Sequence, residues 1–354
     1  MNTVKKIRNW FAYNQQIGLD LGSSSVRIAL PAQEKYVTQA SVVARNIRTD
    51  QIIAIGDEAQ KILGRTPDHI ETIFPIVEGV VENSSSLEAL LSMLLYQNTS
   101  GLFQFIGRNT LVALPASVTD VDTRIIGNTL RKAGARQVTA VPASIAGLVG
   151  VGAPVGDPTT QMVVNIGSGV TQVAAVSDGS VISEASSSIA GGQFDLMIVQ
   201  YVADDFGLRI SQQQAQRVKH ELGAVRGWSE DPGEKISVSG QDETSSLPRE
   251  VNISRIDVTE AIDPLIADLV DFIQGFIGSL SEDMVADISS HGIHLFGGGS
   301  RLDGLGDHIA DRLDVSVHER VNPEQVVVEG LGYIIEREDG DQFTQLIDVY
   351  ESTK

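Results

Sequence analysis

The chain has 354 residues, 42% of them hydrophobic and 20% charged, a balance that makes two globular domains or one large bilobed unit. Its formal net charge of −20 repels phosphate backbones and excludes sequence-independent nucleic-acid binding, and the absence of cysteine excludes disulfide frameworks and thiolate zinc sites. No apolar run reaches the roughly 18 residues of a transmembrane helix, and the first one is too short and too charged for a signal peptide, so the expected location is cytoplasmic.

Over residues 3–13, Val4, Ile7, Trp10 and Phe11 fall near one helical face, with Lys5, Lys6 and Arg8 around it. Such a helix either lies in a membrane interface, basic heads toward anionic lipid, or docks on the protein's own core. The basic cluster in so acidic a chain favours the membrane. Next comes Ile17-Gly18-Leu19-Asp20-Leu21-Gly22-Ser23-Ser24-Ser25-Val26-Arg27-Ile28-Ala29-Leu30. Two apolar runs flank a Gly/Ser corner, which predicts a buried hairpin whose backbone an anion can approach.

Lys35-Tyr36-Val37, residues 41–44 and residues 52–56 read as short strands of a small lobe. Asp57 opens a helix ended by Gly64, and Ser84-Ser85-Ser86 caps one running through Leu87, Leu90, Leu91 and Leu94. Leu102, Phe103 and Phe105 are large apolar residues in a loop, either tucked beneath it or forming an exposed patch for a partner. A strand over 111–115, a helix over 121–133, a strand over 138–141 and a small-residue helix over 143–152 follow. This alternation predicts an α/β chain, a mixed sheet with helices on both faces.

At the middle, Met162 to Val176 repeats the opening hairpin. Asn165 falls on Asp20, Gly167 on Gly22, Ser168 on Ser23 and Val173 on Ile28, all at an offset of 145 residues. Two copies of one unit imply two related halves, whose corners could clamp a polyphosphate. Gly191-Gly192 leads into a helix to Phe206, and residues 211–222 form another, with Arg217, Lys219 and Glu221. Residues 224–255 are a polar excursion with one strand pair. Ile293 to Phe296 reads as a strand running into Gly297-Gly298-Gly299-Ser300 ahead of a helix, a place where backbone and helix dipole can meet a ligand. His291 and His294, on opposite faces of an extended segment and without a third ligand, read as structural.

These hairpins, together with Gly64-Arg65-Thr66-Pro67, Gly134-Ala135-Arg136, Gly150 to Val155, Arg217-Val218-Lys219-His220-Glu221-Leu222-Gly223 and the glycine triplet, stand in the order and spacing of one family. The chain resembles the bacterial actins of the MreB family, proteins that determine cell shape, over nearly its whole length. The Gly-Arg-Thr-Pro turn and the Lys-His-Glu helix separate it from heat-shock chaperones and sugar kinases. The resemblance implies an actin-like ATPase fold, two lobes each with a mixed sheet flanked by helices, with ATP and Mg²⁺ in the cleft. It implies a membrane-binding helix over 1–14, a first lobe over 15–155 and 322–354 (small subdomain about 32–75), and a second over 156–321 (small subdomain about 190–256).

By the same resemblance, Asp20, Gly22, Ser23, Ser24 and Ser25 hold one side of the phosphates, with Asp20 reaching Mg²⁺ through water. Asn165, Gly167, Ser168, Gly169 and Val170 hold the other. Gln216, Lys219 and Glu221 frame the adenosine, and Gly297, Gly298, Gly299 and Ser300 lie against it. Val4, Ile7, Trp10 and Phe11 match the family's membrane helix, and Leu102 and Phe103 its insertion loop. Implied partners are copies of itself, an anionic membrane surface on the inner face of the cell membrane and cell-wall elongation membrane proteins.

The departures concern hydrolysis. The family has Asp at Asn165, Thr at Val170 and Glu at Gln172, and its water-positioning Glu aligns with Ala143. Losing such a group lowers a rate by about 10²–10⁴. The expected function is therefore an ATP-binding, membrane-associated filament that directs cell shape and peptidoglycan synthesis, with slow or lost hydrolysis. The alternative is a non-polymerising actin-fold adaptor that keeps ATP as a structural ligand. A kinase or chaperone ATPase fits the fold but lacks the carboxylate and a substrate domain.

Overall fold

The computed structural model describes residues 16–98, 108–115, 118–225, 234–336 and 345–346. The expected membrane elements, with Val4, Ile7, Trp10, Phe11, Leu102 and Phe103, lie outside the described residues. The chain divides into two compact units, one of residues 1–158, 174–184 and 325–354, the other of 159–173 and 185–324.

In the first unit six strands run in the order Gln345–Leu346, Ala135–Pro142, Arg108–Leu114, Gln16–Leu21, Ser25–Leu30 and Lys35–Ala40. The last three form an antiparallel meander, and Arg108–Leu114 is parallel to both of its neighbours Gln16–Leu21 and Ala135–Pro142. Ile17, Leu19, Val26, Ile28 and Val112 alternate into a core shared with Leu87, Leu90, Leu91 and Leu94. Lys35–Ala40 thus completes the large sheet instead of joining the small lobe, because its register with Ser25–Leu30 continues over six residue pairs. The small sheet consists of Gln51–Ile55, Val43–Asn46 and Ile70–Ile73.

Local chemistry sets the helix ends. Thr119 with Asp122, Ser211 with Gln214 and Ser254 with Asp257 form capping boxes, each satisfying two orphan donors. The Ser84–Asn98 helix is capped differently from expectation. Asn83 Oδ1 accepts from the Ser86 N–H at 2.9 Å, so the serines lie inside the first turn. Helix Ala143–Val151 crosses helix Val326–Glu336 backbone to backbone, and a methyl on Gly150 or Gly330 would overlap the carbonyl oxygen of Val326 or Ala146.

The second unit repeats the plan. Strand Gln161–Ile166 runs parallel to Ile293–Phe296, which is parallel to Val317–His318. Lys235–Asp242 and Pro248–Ser254 are the strand pair expected in the polar excursion, and Leu208–Arg209, from outside it, adds a third antiparallel strand. Among the described residues no helix is long and apolar enough to cross a membrane.

Candidate functional site

The first corner joins Gln16–Leu21 to Ser25–Leu30. The Gly22 N–H donates to Ser25 O at 3.0 Å. A Cβ on Gly22 would stand 2.8 Å from that oxygen, so the turn closes this tightly only with glycine. Asp20 faces Arg27 across the ladder, with Nη1 3.4 Å from Oδ2. Burial pushes the Asp20 carboxyl above its usual range, opposed by the Arg27 guanidinium. Ser23 Oγ accepts from the Gly79 N–H at 3.2 Å, which leaves its own proton to donate. Ser24 is exposed, and its carbonyl accepts from the Ser41 N–H at 2.9 Å.

The second corner reproduces this geometry. Gly167 N–H donates to Val170 O at 2.9 Å, and a Cβ on Gly167 would again lie 2.8 Å from the acceptor. Where the first corner has an ion pair, Asn165 Nδ2 donates to Gln172 Oε1 at 3.5 Å. The helix Gly191–Phe206 begins directly on this turn: Gly191 N–H donates to Gly167 O at 3.0 Å and Gly192 N–H to Ser168 O at 2.7 Å. Helix Gln212–Leu222 braces that junction. Lys219 Nζ lies 2.7 Å from Asp195 Oδ1 and donates to Gly191 O at 2.6 Å.

Burial lowers the Lys219 pKa and raises that of Asp195, each offset by the other's charge. The ammonium expected beside adenosine is therefore engaged inside the protein. Gln216 is half-buried on the same helix, and Glu221 is exposed, 4.0 Å from Arg217.

The glycine triplet packs on strand Gln161–Ile166. A Cβ on Gly297, whose φ is +92°, would overlap Asn165 Oδ1 and Ile166 O, and one on Gly299 would overlap the Ile166 side chain. Gly298 is exposed, and a Cβ there would meet only Glu324 Cβ at 3.9 Å. Ser300 Oγ donates to Gly297 O at 2.8 Å, so this buried hydroxyl is used within the turn. The triplet does not lead straight into an α-helix. Gly298–Arg301 is one 3₁₀ turn, and the next helix starts at Leu305 behind Gly304, whose φ of +76° reorients the chain.

Ala143, at the first position of its helix, is 7% exposed, and the Ser144 hydroxyl beside it is buried with no hydrogen-bond partner among the described residues. Glu78 and Glu82 are exposed; the Gly79–Ser23 bond puts the Glu78 turn against the first corner.

His291 ends helix Glu282–His291 and is not extended, contrary to expectation; its Nδ1 lies 2.9 Å from Asp287 O. His294 packs on His318 with ring centroids 5.4 Å apart.

Sequence reasoning missed Asp195, whose partner is 24 residues away on another helix, and the pairing of Asn165 with Gln172. The second was within reach, since positions 165 and 172 repeat the spacing of Asp20 and Arg27.

A family model described as MreB/Mbl protein matches residues 14–342. The chain belongs to the MreB/Mbl family. It is 31% identical over 351 residues to the cell shape-determining protein MreB of Escherichia coli (strain K12), covering 97% of this chain and 99% of that one. Identity to the cell shape-determining protein Mbl of Bacillus subtilis (strain 168) is 30% over 328 residues, 92% and 97% of the two chains. Among solved structures, MreB5 of Spiroplasma citri bound to AMPPNP superposes with a TM-score of 0.85 at 24% identity, covering 90% of this chain and 95% of that one. A MamK double helical filament gives 0.75 at 18% identity, covering 91% and 98%. The fold of this MreB/Mbl chain is accordingly actin-like, with two lobes each built on a mixed sheet.

Proposed function

We propose that this chain is an ATP-binding bacterial actin that assembles with copies of itself into filaments on the inner face of the cell membrane. There it directs cell shape and peptidoglycan synthesis through cell-wall elongation membrane proteins, with slow or lost hydrolysis. The observation that carries this reading is the twice-built corner. Two turns 145 residues apart each close with one N–H bond, of 3.0 Å and 2.9 Å, that a side chain on the glycine would obstruct. Backbone held open in this way suits phosphate oxygens.

The residues fit the nucleotide. Gly22, Ser23, Ser24 and Ser25 would hold phosphate oxygens at one corner, and Asn165, Gly167, Ser168, Gly169 and Val170 at the other. Gln216, Glu221 and Gly297 to Ser300 would lie toward the nucleoside. Magnesium would enter with the phosphates, and Asp20 would hold it through a water; when bound, the ion neutralises phosphate charge. The relatives support the reading: two are cell shape-determining proteins, one solved structure holds AMPPNP and another is a filament. For the membrane the support is Val4, Ile7, Trp10 and Phe11 beside three basic residues, with Leu102 and Phe103.

A second reading, a non-polymerising adaptor with ATP as a structural ligand, is favoured by Ala143 and Asn165, which both remove a carboxylate. Sedimentation with ATP separates the two: the filament reading requires an ATP-dependent pellet, the adaptor reading a thermal shift without one. Flotation on anionic vesicles tests the membrane, and equal flotation of a Trp10→Asp, Phe103→Asp variant would contradict the assigned contacts.

A further inference from the structure

Away from the corners, an edge strand and a helix of the first unit build one exposed aromatic and acidic patch. Lys35–Ala40 is the edge strand of the six-stranded sheet, and Tyr36 on it stands against helix Val326–Glu336. Gly332 makes room for the ring: a Cβ there would stand 3.0 Å from Tyr36 Oη. Glu329, Tyr333 and Glu336, spaced i, i+4 and i+7, share the outward stripe of the helix. Tyr36 is 42% exposed and Tyr333 45%. Burial raises the Tyr36 pKa, and Tyr333, Glu329 and Glu336 raise it further, so the four groups share one field. Lys35 alternates to the opposite face, its Nζ 3.4 Å from Asn98 Oδ1. Two exposed tyrosines bordered by carboxylates match a segment that carries both aromatic and basic side chains.

Residues 4–11 are such a segment, with Trp10, Phe11, Lys5, Lys6 and Arg8, and the sheet brings their root to the patch. Gly18, Ala29 and Tyr36 pair in one row across three strands. A Cβ on Gly18 would stand 2.7 Å from Leu331 Cβ, so the helix crosses this row at Leu331 and Gly332. Gln16 precedes the row by two residues, about 7 Å, and Tyr36 lies two strands, about 10 Å, to the side, roughly 12 Å in all. Residues 12–15 can span about 13 Å, enough to bring Phe11 and Trp10 to the tyrosines. The other end of the chain does not compete. Gln345–Leu346 lies on the opposite edge of the sheet, and residues 347–354 carry Asp348 and Glu351 against Lys354 alone.

We propose that residues 4–11 dock on this patch of their own chain, Trp10 and Phe11 against Tyr36 and Tyr333, basic side chains toward Glu329 and Glu336. The apolar face of the segment is then covered when no membrane is present, and an anionic surface has to compete with the patch for it. Docking rests on these residues alone, whereas its exchange for lipid rests on the membrane reading above.

The test is acrylamide quenching of Trp10 in nucleotide-free, lipid-free full-length protein carrying Trp228→Phe, which leaves one tryptophan. Docking predicts that Trp10 is shielded relative to a synthetic peptide of residues 1–14, equally at every dilution. Tyr333→Ser with Glu336→Gln should raise the quenching constant about twofold or more, since each exposed ion pair shifts an equilibrium by up to about fivefold. If that variant does not fold, Lys5→Gln with Lys6→Gln and Arg8→Gln should raise it in the same way. Trp10 as accessible in the full chain as in the peptide, or shielding unchanged in these variants, would overturn the proposal. Shielding lost on dilution would overturn it too, placing the segment on a second copy. With anionic vesicles, the Tyr333→Ser, Glu336→Gln protein should float more readily than wild type. Absence of flotation from both would overturn the exchange for lipid and leave docking to the quenching result.

Discussion

Lys219 and Asp195 form an ion pair 2.7 Å long, both nearly inaccessible, and the same ammonium donates to Gly191 O at 2.6 Å. Gly191 in turn donates to Gly167, so a single buried charge fixes where a helix begins and where the second corner sits. Removing the ammonium alone strands a carboxylate in the interior, a loss of about 3–5 kcal/mol. Lys219→Met should therefore lower the urea midpoint strongly and shrink the ATP-induced melting shift. Adding Asp195→Leu should recover most of the stability. An unchanged midpoint in Lys219→Met would show that water already reaches the pair.

The glycine triplet makes a sharper prediction, because only one of its members has room. A Cβ on Gly298 meets only Glu324 Cβ, at an ordinary 3.9 Å, whereas one on Gly297 or Gly299 collides with Asn165 or Ile166. Gly298→Gln should fold with a wild-type melting temperature yet lose most of the stabilisation by magnesium ATP, which scales as RT ln(1 + [L]/Kd). A full ATP shift in Gly298→Gln would remove the triplet from the site.

Most of the architecture was legible because apolar alternation and Gly/Ser corners are local signals. The repeat of Asp20-Leu21-Gly22-Ser23 as Asn165-Ile166-Gly167-Ser168 marks two related halves in the sequence itself. What could not be read was tertiary. Lys35–Ala40 joins the large sheet through a register with Ser25–Leu30 that its own residues do not specify. Asn83 outcompetes three serines as a cap because it alone precedes the first turn. Lys219, expected beside the adenosine, turns inward because Asp195 waits on a neighbouring helix, 24 residues away in sequence.

A pH dependence follows from His294. Burial, together with the charges of His318 and Arg320, lowers its pKa from 6.5 to about 4. The unfolded chain takes up this proton near its ordinary pKa and the native one does so only near 4. The contribution is fully present above about 6.5 and fades as pH falls toward 4, on the order of 2 kcal/mol after allowing for the ring's partial exposure. Gln161 Oε1, 3.4 Å from Nε2, is a neutral partner. Urea midpoints between pH 7 and 5 should fall less for His294→Gln than for wild type. Parallel curves would place the loss elsewhere.

Hydrolysis is set by what positions water and spreads charge. On the proposed reading, Ala143 offers a methyl where the resemblance to the family places a carboxylate, and Asn165 is a neutral amide. Ala143→Glu with Asn165→Asp should raise phosphate release about tenfold or more. Equal release by wild type would mean that another carboxylate serves, and the Glu78 turn, bonded to Ser23 through Gly79, is the first to replace.

The most direct test of the account is sedimentation of purified wild-type protein with and without magnesium ATP, with phosphate release followed in the same sample. The account predicts a pellet that forms only with ATP, contains filaments by electron microscopy, and persists while phosphate release stays slow. Protein that remains in the supernatant with ATP would contradict the filament claim, and protein that also shows no ATP-induced melting shift would contradict nucleotide binding itself.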